Sequence, residues 1–183
     1  MGMELIIVLI ELVTKKMKKF CFILLLVYNF SFGQTNWRSN KYNYSFEIPS
    51  RFHKINNTVG ANVDFKAVER ENSIVVVIKK LPIEVSKYSI WYIFGDLKSF
   101  GSEWEEGAKE FLNNPKFIKY GKTKVSGLDA FWFDYSTENP YLYSKTYQLK
   151  KNNILYTITL TCSYSNVSEF SATWFRFKNS IKI

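Results

Sequence analysis

Four stretches of alternating apolar and polar residues, between positions 117 and 163, constrain the fold of this chain more than any other feature. Short polar turns, such as Lys151-Asn152-Asn153, separate them. Alternation with a period of two is typical of strands with one buried face, and short turns join antiparallel neighbours. The region therefore predicts an antiparallel meander. Within residues 130–136, it places Phe131, Phe133 and Tyr135 on one face and Trp132 and Asp134 on the other.

Three further strands are predicted upstream. Residues 44–48 alternate and stop at Pro49, whereas residues 63–67 and 73–80 form a hairpin. The stretch 73–80, SIVVVIKK, is apolar on both faces, which predicts a central strand covered on both sides. Residues 34–41 are polar, so we expect a short lead-in there.

Two segments have the spacing of amphipathic helices. In residues 87–113 apolar residues recur every three or four positions, with an interruption near Gly101 and a capping box, Ser102 to Glu105, that restarts the helix. The apolar positions of that stripe are Ile90, Ile93, Leu97, Phe100, Trp104, Ala108 and Phe111. The second stripe follows an Asn166–Glu169 cap and consists of Val167, Phe170, Trp174, Phe177 and Ile181. The predicted fold class is α+β, an antiparallel β-sheet flanked by helices.

The N-terminal residues predict export. From Met17 the chain has a basic start, an apolar core at 20–30, and small residues Ser31 and Gly33, which predicts a signal peptide cleaved near Gly33-Gln34. We therefore divide the chain into a mis-called N-terminal extension (1–16), a signal peptide (17–33) and a single domain (34–183). Cleavage leaves no stable membrane span and places the domain in the periplasm or outside the cell. The alternative is an N-terminal membrane anchor made from both apolar stretches of the leader, although four lysines interrupt it.

The charge and amino-acid composition narrow the classes of binding partner. The chain carries a formal net charge of +9, mostly from lysine, which favours weak attraction to anionic surfaces. Arginine is scarce, and because specific base recognition tends to use it, specific nucleic-acid binding is disfavoured. Cys21 lies in the leader, so a cleaved protein keeps only the Cys162 thiol.

The candidate catalytic groups are few. The single histidine, His53, and the single mature thiol exclude multi-histidine and Cys/His zinc sites, so we expect no metal and no cofactor. His53 is best explained as an exposed loop residue. Glu103, Glu106 and Glu110 share a helix face, which is typical of a solvated surface; paired-carboxylate hydrolysis is the remote alternative. No catalytic residue is predicted.

Ligand binding has four candidate residues. Trp37, Trp91 and Trp132 are tryptophans outside the strongest core stripes, and Asp134 is a carboxylate in mid-strand. Aromatic faces can stack on sugars, so these side chains would line a groove if they lie together. The competing explanation for Asp134 is a face directed to solvent or a cross-strand pair with a lysine such as Lys145.

Local signatures give a family resemblance. Tyr44-Ser45-Phe46-Glu47-Ile48-Pro49, the segment VSGLDAFWFDY (125–135) and residues 170–181 resemble the PsbP-like family, which includes the photosystem II extrinsic subunit and DcrB-type envelope proteins. The resemblance implies a PsbP-like α/β/α sandwich and a binding or accessory role. It carries over no ligand residue, because no metal-site motif matches.

These observations rank three hypotheses. The first is an exported non-enzymatic binding or accessory domain of the bacterial cell envelope, with an unknown envelope protein or glycan as its partner. The alternative is a small-ligand or saccharide-binding module that uses surface Trp and Tyr residues. The remote alternative is a carboxylate-dependent hydrolase that uses Asp134 or the three glutamates.

Overall fold

The computed structural model describes residues 35–183 apart from 57–59, 61, 95, 96 and 98. The predicted extension and signal peptide lie outside the described residues. The described strands are β1 (Thr35–Ser39), β2 (Tyr44–Ile48), β3 (His53–Lys54), β4 (Val63–Glu69), β5 (Asn72–Lys80), β6 (Lys116–Val125), β7 (Leu128–Thr137), β8 (Leu142–Lys151) and β9 (Ile154–Ser163). The described α-helices are α1 (Ile90–Phe94), α2 (Phe100–Ala108) and α3 (Val167–Ser180). Short 3-10 turns lie at Ile83–Lys87 and Tyr164–Asn166.

Seven strands form one antiparallel sheet in the order β3-β4-β5-β9-β8-β7-β6. The predicted meander from β6 to β9 is confirmed, because each of these strands pairs with the next along the chain. β5 joins the meander by pairing with β9, which fixes the sheet through contacts far apart in sequence. β1 and β2 form a separate two-stranded sheet.

The face of the large sheet that carries Phe65, Val76 and Ile158 is called the core face below. The β1–β2 hairpin and α3 cover it, and all three of these side chains have no exposed surface. Phe46 of β2 is central, because its ring lies 4.8 Å from Phe65 and 5.0 Å from Phe177 of α3. The predicted terminal helix is thus confirmed, with its apolar stripe against strands.

The opposite face carries Phe131, Phe133 and Tyr135 and is called the aromatic face below. α1 and α2 cover it over β7: the Trp104 ring lies 4.6 Å from Tyr135 and 5.5 Å from Phe133. Phe100 completes the contact, 4.8 Å from Phe131. Both the predicted split of β7 into two faces and the predicted contact of Trp104 with the sheet are confirmed.

The predicted helix at 87–113 is wrong in its details. α2 begins at Phe100, and the Ser102 hydroxyl donates to the Ser99 carbonyl at 2.9 Å, so no capping box forms. Glu105 instead accepts the backbone N–H of Phe117 at 2.6 Å, beside a bulge in β6. Gly101 lies inside α2 and does not interrupt it. A Cβ at this position would meet the Phe117 ring at 2.9 Å, which explains why the residue is a glycine. Phe111 lies beyond the helix and is 82% exposed.

Two smaller predictions also need correction. The polar lead-in contains strand β1, because Trp37 packs on Phe46 and Phe65 at 5.2 and 4.7 Å and so holds the segment against the sheet. β5 is central in the sheet as predicted, but it is covered fully only on the core face. On the other face Val75 and Val77 are half-buried. Short β-branched side chains explain this pattern, since they suit a strand whether or not a helix lies above it.

Candidate functional site

The candidate site is a cluster of polar side chains around Asp134 in the core face. We call it the Asp134 cluster: Asp134 and Trp132 on β7, Tyr143 and Lys145 on β8, and Lys119 on the edge strand β6. Asp134 lies directly opposite Lys145 in one strand pair and opposite Lys119 in the other. Strand register therefore brings two lysines to one carboxylate.

Both oxygens of Asp134 are occupied. Lys145 donates from Nζ to Oδ1 at 2.5 Å, and the Tyr143 hydroxyl donates to Oδ2. Lys119 Nζ lies 3.8 Å from Oδ2 but is well exposed. Asp134 itself has no exposed surface. The carboxylate is thus a buried hydrogen-bond acceptor without access to solvent, and the expected pair with Lys145 is present.

Burial governs protonation in this cluster. Burial and the hydrogen bond to Asp134 raise the pKa of Tyr143 far above its usual range, so the hydroxyl remains a donor at any physiological pH. Burial lowers the pKa of Lys145, although Asp134 opposes that shift. The Lys145 ammonium lies 4.0 Å from the centroid of the Trp132 ring, a cation–π contact that gives the charge a second favourable neighbour.

A glycine positions Trp132. A Cβ at Gly121, the partner of Trp132 across the β6–β7 pair, would meet three indole atoms at 2.7 Å. The indole therefore lies over the backbone of the edge strand where a side chain would otherwise be. This is the arrangement by which an aromatic residue compensates for a strand glycine, so Trp132 has a structural role.

The three candidate tryptophans do not lie together. Trp37 packs into the core under β1, and Lys54 Nζ lies 5.9 Å from its centroid. Trp91 is half-buried on α1, and Lys122 Nζ lies 4.8 Å from its ring. Lys122 and Trp132 extend from opposite faces of the sheet, since they are one position out of register in the strand pair. Of the four predicted ligand residues, the structure brings together only Trp132 and Asp134.

The remaining candidate groups are accounted for separately. His53 is exposed in the short edge strand β3. Cys162 has no exposed surface, and burial raises the pKa of its thiol to about 11. Glu106 pairs with Lys109 at 2.6 Å on the solvent side of α2. Across the part of the chain that the structure describes, there is no group of three or more His, Cys, Asp or Glu side chains arranged to hold a metal ion.

Sequence reasoning missed Tyr143 and Lys119. Tyr143 lies on β8, two positions before Lys145, which is the residue directly opposite Asp134. Its contact with Asp134 is diagonal and therefore depends on the register between β7 and β8. Lys119 follows a bulge in β6, which shifts the alternation by one residue. The alternation in the sequence indicates which residues share a face of the sheet, but it does not show which residues of neighbouring strands lie opposite one another.

The architecture is an antiparallel sheet with helices on both faces, and solved structures place it among the PsbP-like folds. Cyanobacterial PsbP (CyanoP) from Synechocystis sp. PCC 6803 matches with a TM-score of 0.65 at 12% identity, over 81% of this chain and 91% of its own. LpqN of Mycobacterium tuberculosis, described as involved in cell envelope biogenesis, matches with a TM-score of 0.53 at 9% identity, over 82% and 90%.

A third structure, from Bacteroides thetaiotaomicron VPI-5482, matches with a TM-score of 0.50 at 13% identity. The match covers 82% of this chain but 48% of that one, so this chain spans about half of its length. No protein-family model matches the chain, and no curated protein does. Identities this low show the fold alone. The predicted PsbP-like α+β fold is confirmed.

Proposed function

We propose that this protein is an exported, non-enzymatic accessory domain of the bacterial cell envelope that acts by binding another envelope component, a protein or a glycan. The observation that carries the proposal is the burial of its candidate reactive groups. Asp134 and Cys162 have no exposed surface, and Asp134 is bonded through both oxygens. A group that meets no solvent meets no substrate, so these residues support the fold.

Two further observations support the proposal. LpqN, which shares the fold, is described as a protein of cell envelope biogenesis. The leader of this chain, residues 17–33, has the composition of a cleavable signal peptide.

Among the helices that the structure describes, none combines the length and the apolar content that crossing a bilayer requires.

Export is tested by the mass of the protein that its host accumulates. The full chain is expressed in the native host, recovered from the envelope and culture fractions, and measured as the intact protein. We expect a product that begins at Gln34. A product that retains Met1 or Met17 would contradict cleavage, and recovery from the cytoplasm alone would contradict export.

The non-enzymatic role is tested by complementation. A strain that lacks the gene is scored for an envelope phenotype, such as sensitivity to detergent, and then supplied with full-chain variants. We expect full rescue by His53→Ala, by Cys162→Ala and by the triple variant Glu103→Gln, Glu106→Gln, Glu110→Gln. The three glutamates and His53 are exposed, so these changes leave the core intact. Loss of rescue by a variant that accumulates at the wild-type level would indicate catalysis.

A further inference from the structure

One end of the large sheet, where β5 and β8 finish and β9 begins, is rich in lysine. Two rows of residues close these three strands, each with an aliphatic side chain between two lysines: Lys79–Leu155–Lys150 and Lys80–Ile154–Lys151. Because neighbouring strands lie about 4.8 Å apart, the backbones of the two lysines in a row are about 10 Å apart. Both aliphatic side chains are half-buried. Strand register therefore gathers four lysines around a partly apolar strip.

A turn with an exposed apolar side chain lies beside these rows. The 3-10 turn Ile83–Lys87 follows β5, and Lys150 Nζ donates to the Ser86 carbonyl at 2.8 Å. This bond holds the turn against the end of β8. Ile83 is 65% exposed. The turn thus brings an apolar side chain and a fifth lysine, Lys87, to the same end of the sheet.

Two tyrosines continue this surface into α1. Tyr92 is 66% exposed and stacks on Tyr88, with ring centroids 4.3 Å apart. Lys87 Nζ lies 5.3 Å from the centroid of the Tyr88 ring. Tyrosine has an apolar body and a polar tip, so it is enriched where an apolar phase meets water. We call the five lysines, together with Ile83 and Tyr92, the basic end.

The lysines of the basic end have no counter-charge on the chain. No ion pair joins any of the five to another described residue. Segments 79–92 and 148–155 contain a single acidic residue, Glu84. The turn at the other end of β5 is mixed, with Glu69 and Glu71 beside Arg70. Like charges that lie together repel one another, and an anionic partner would remove that repulsion.

The exposed apolar side chains favour a lipid surface over a soluble polyanion. A polysaccharide or a nucleic acid would neutralise the lysines but would leave Ile83 in water. The headgroup region of a bilayer takes up an apolar side chain and removes its area from water. Lysine stems can extend along such a surface while their ammonium groups stay at the level of the phosphates.

We propose that the basic end docks the protein on a membrane surface that contains anionic phospholipid. The ammonium groups contact the lipid phosphates, and Ile83 and Tyr92 enter the headgroup region. The contact is peripheral. This inference goes beyond the proposed function, because an accessory domain needs no contact with lipid in order to bind another envelope component.

Vesicle co-sedimentation tests the proposal with the protein in the form that its host produces. One set of vesicles contains phosphatidylglycerol and phosphatidylcholine, and the other contains phosphatidylcholine alone. We expect binding to the mixed vesicles to be tighter by at least about tenfold, and to weaken as salt is raised. Equal binding to both sets, as an uncleaved membrane anchor would give, would overturn the proposal. Absence of binding to the mixed vesicles would also overturn it.

Charge variants locate the surface. The triple variant Lys79→Gln, Lys80→Gln, Lys151→Gln should weaken binding to the mixed vesicles by more than about tenfold, since each lysine near an anionic bilayer contributes about fivefold. The matched control is Lys54→Gln, Arg70→Gln, Arg176→Gln, which removes the same charge from exposed positions outside the basic end. The control should bind almost as tightly as the unaltered protein. Equal losses would show that net charge alone drives binding, and would overturn the location.

An apolar variant separates lipid from a soluble polyanion. Ile83→Ser should weaken binding to the mixed vesicles about fivefold, because its side chain no longer gains from leaving water. Binding to heparin, a soluble polyanion, should not change. Phe175→Ser is the matched control, since Phe175 is 63% exposed on α3, and it should leave vesicle binding unchanged. If Ile83→Ser binds the mixed vesicles as tightly as the unaltered protein, the basic end recognises charge alone and the lipid proposal is overturned.

Discussion

The two faces of the large sheet are covered in different ways. On the core face, α3 contributes Phe170, Trp174 and Phe177, all buried, and the hairpin adds the buried rings of β2. On the aromatic face, none of the nine described residues of α2 is fully buried, although Trp104 contacts three rings of the sheet. The same strands thus carry one closed interface and one partly open interface.

This difference shows that the contribution of each face to stability depends on how completely its apolar side chains are buried, and not on how many it carries. Hydrophobic stabilisation scales with apolar area removed from water, and a half-buried ring removes only part of its area. We therefore expect the core face to supply most of the free energy of folding. The aromatic face should open locally at lower cost, since helices with few buried contacts exchange their amide hydrogens first.

The largest effect should come from matched tryptophan truncations on the two faces. Trp174→Ala removes a buried ring that stacks on Tyr143 at 5.6 Å, and it should cost about 3–5 kcal/mol of unfolding free energy. Trp104→Ala removes a half-buried ring and should cost roughly half as much. Urea denaturation of both variants measures the two values. An equal or larger cost for Trp104→Ala would contradict the comparison.

The Asp134 cluster tests how a buried polar group contributes to the stability of the core face. Asp134→Leu leaves the ammonium of Lys145, whose side chain is 19% exposed, without its carboxylate partner. The change should cost roughly 2–3 kcal/mol of unfolding free energy after allowing for partial solvation. The combined variant Asp134→Leu, Tyr143→Phe, Lys145→Leu should recover most of that loss, because apolar groups need no partner. Urea denaturation tests both. If the combined variant is no more stable than the single one, the cluster contributes net stability.

Alkaline pH should act mainly on the core face. Burial raises the pKa of the Cys162 thiol to about 11 from 9.0, and it raises the pKa of Tyr44, whose hydroxyl donates to Asp64 at 2.8 Å. These groups stay protonated when folded while the unfolded chain loses protons. Stability is therefore intact below about pH 9 and falls as pH rises above it. The lowered pKa of Lys145 acts in the opposite direction and offsets part of the fall.

Urea midpoints at intervals between pH 7 and pH 10.5 measure this dependence. Cys162→Ala removes one titrating group and should make the fall shallower. A midpoint that stays constant to pH 10.5 would contradict the assignment of protonated, buried groups to the folded state.

Two glycines should give the smallest effects, with opposite signs. Gly107→Ala in α2 meets no atom within 4 Å, so it should stabilise the protein by about 0.5–1 kcal/mol through helix propensity. Gly121→Ala forces the Trp132 indole to move and should destabilise it by about 1–3 kcal/mol. Thermal unfolding separates the two. Destabilisation by Gly107→Ala would indicate that α2 is not held as a helix in solution.

The predictable parts of the fold are those in which one residue pattern has one structural meaning. The alternation in β7 and the stripe of α3 predicted both elements and their buried faces. The position of the break between α1 and α2 could not be predicted. Gly101 lies inside α2 and allows the close approach of Phe117. In the sequence, a glycine with this role cannot be distinguished from a glycine that ends a helix. β1 was not predicted, because its single apolar residue, Trp37, cannot produce the alternation of apolar and polar residues that indicates a strand.

The candidate site was predictable only in part. Asp134 was visible as a carboxylate in an apolar strand, and Lys145 followed from the meander. Tyr143 required the strand register. The position of Lys119 required the bulge in β6, which shifts the alternation by one residue.

Residues just beyond α3 close the domain. The Lys182 backbone exchanges two hydrogen bonds of 2.8 Å with Ser45, and the Ile183 N–H donates to the Ser126 hydroxyl at 3.0 Å. Synthesis therefore reaches the partner of β2 about 140 residues after β2 itself. A nascent chain cannot form this pairing of β2 until Lys182 has left the ribosome.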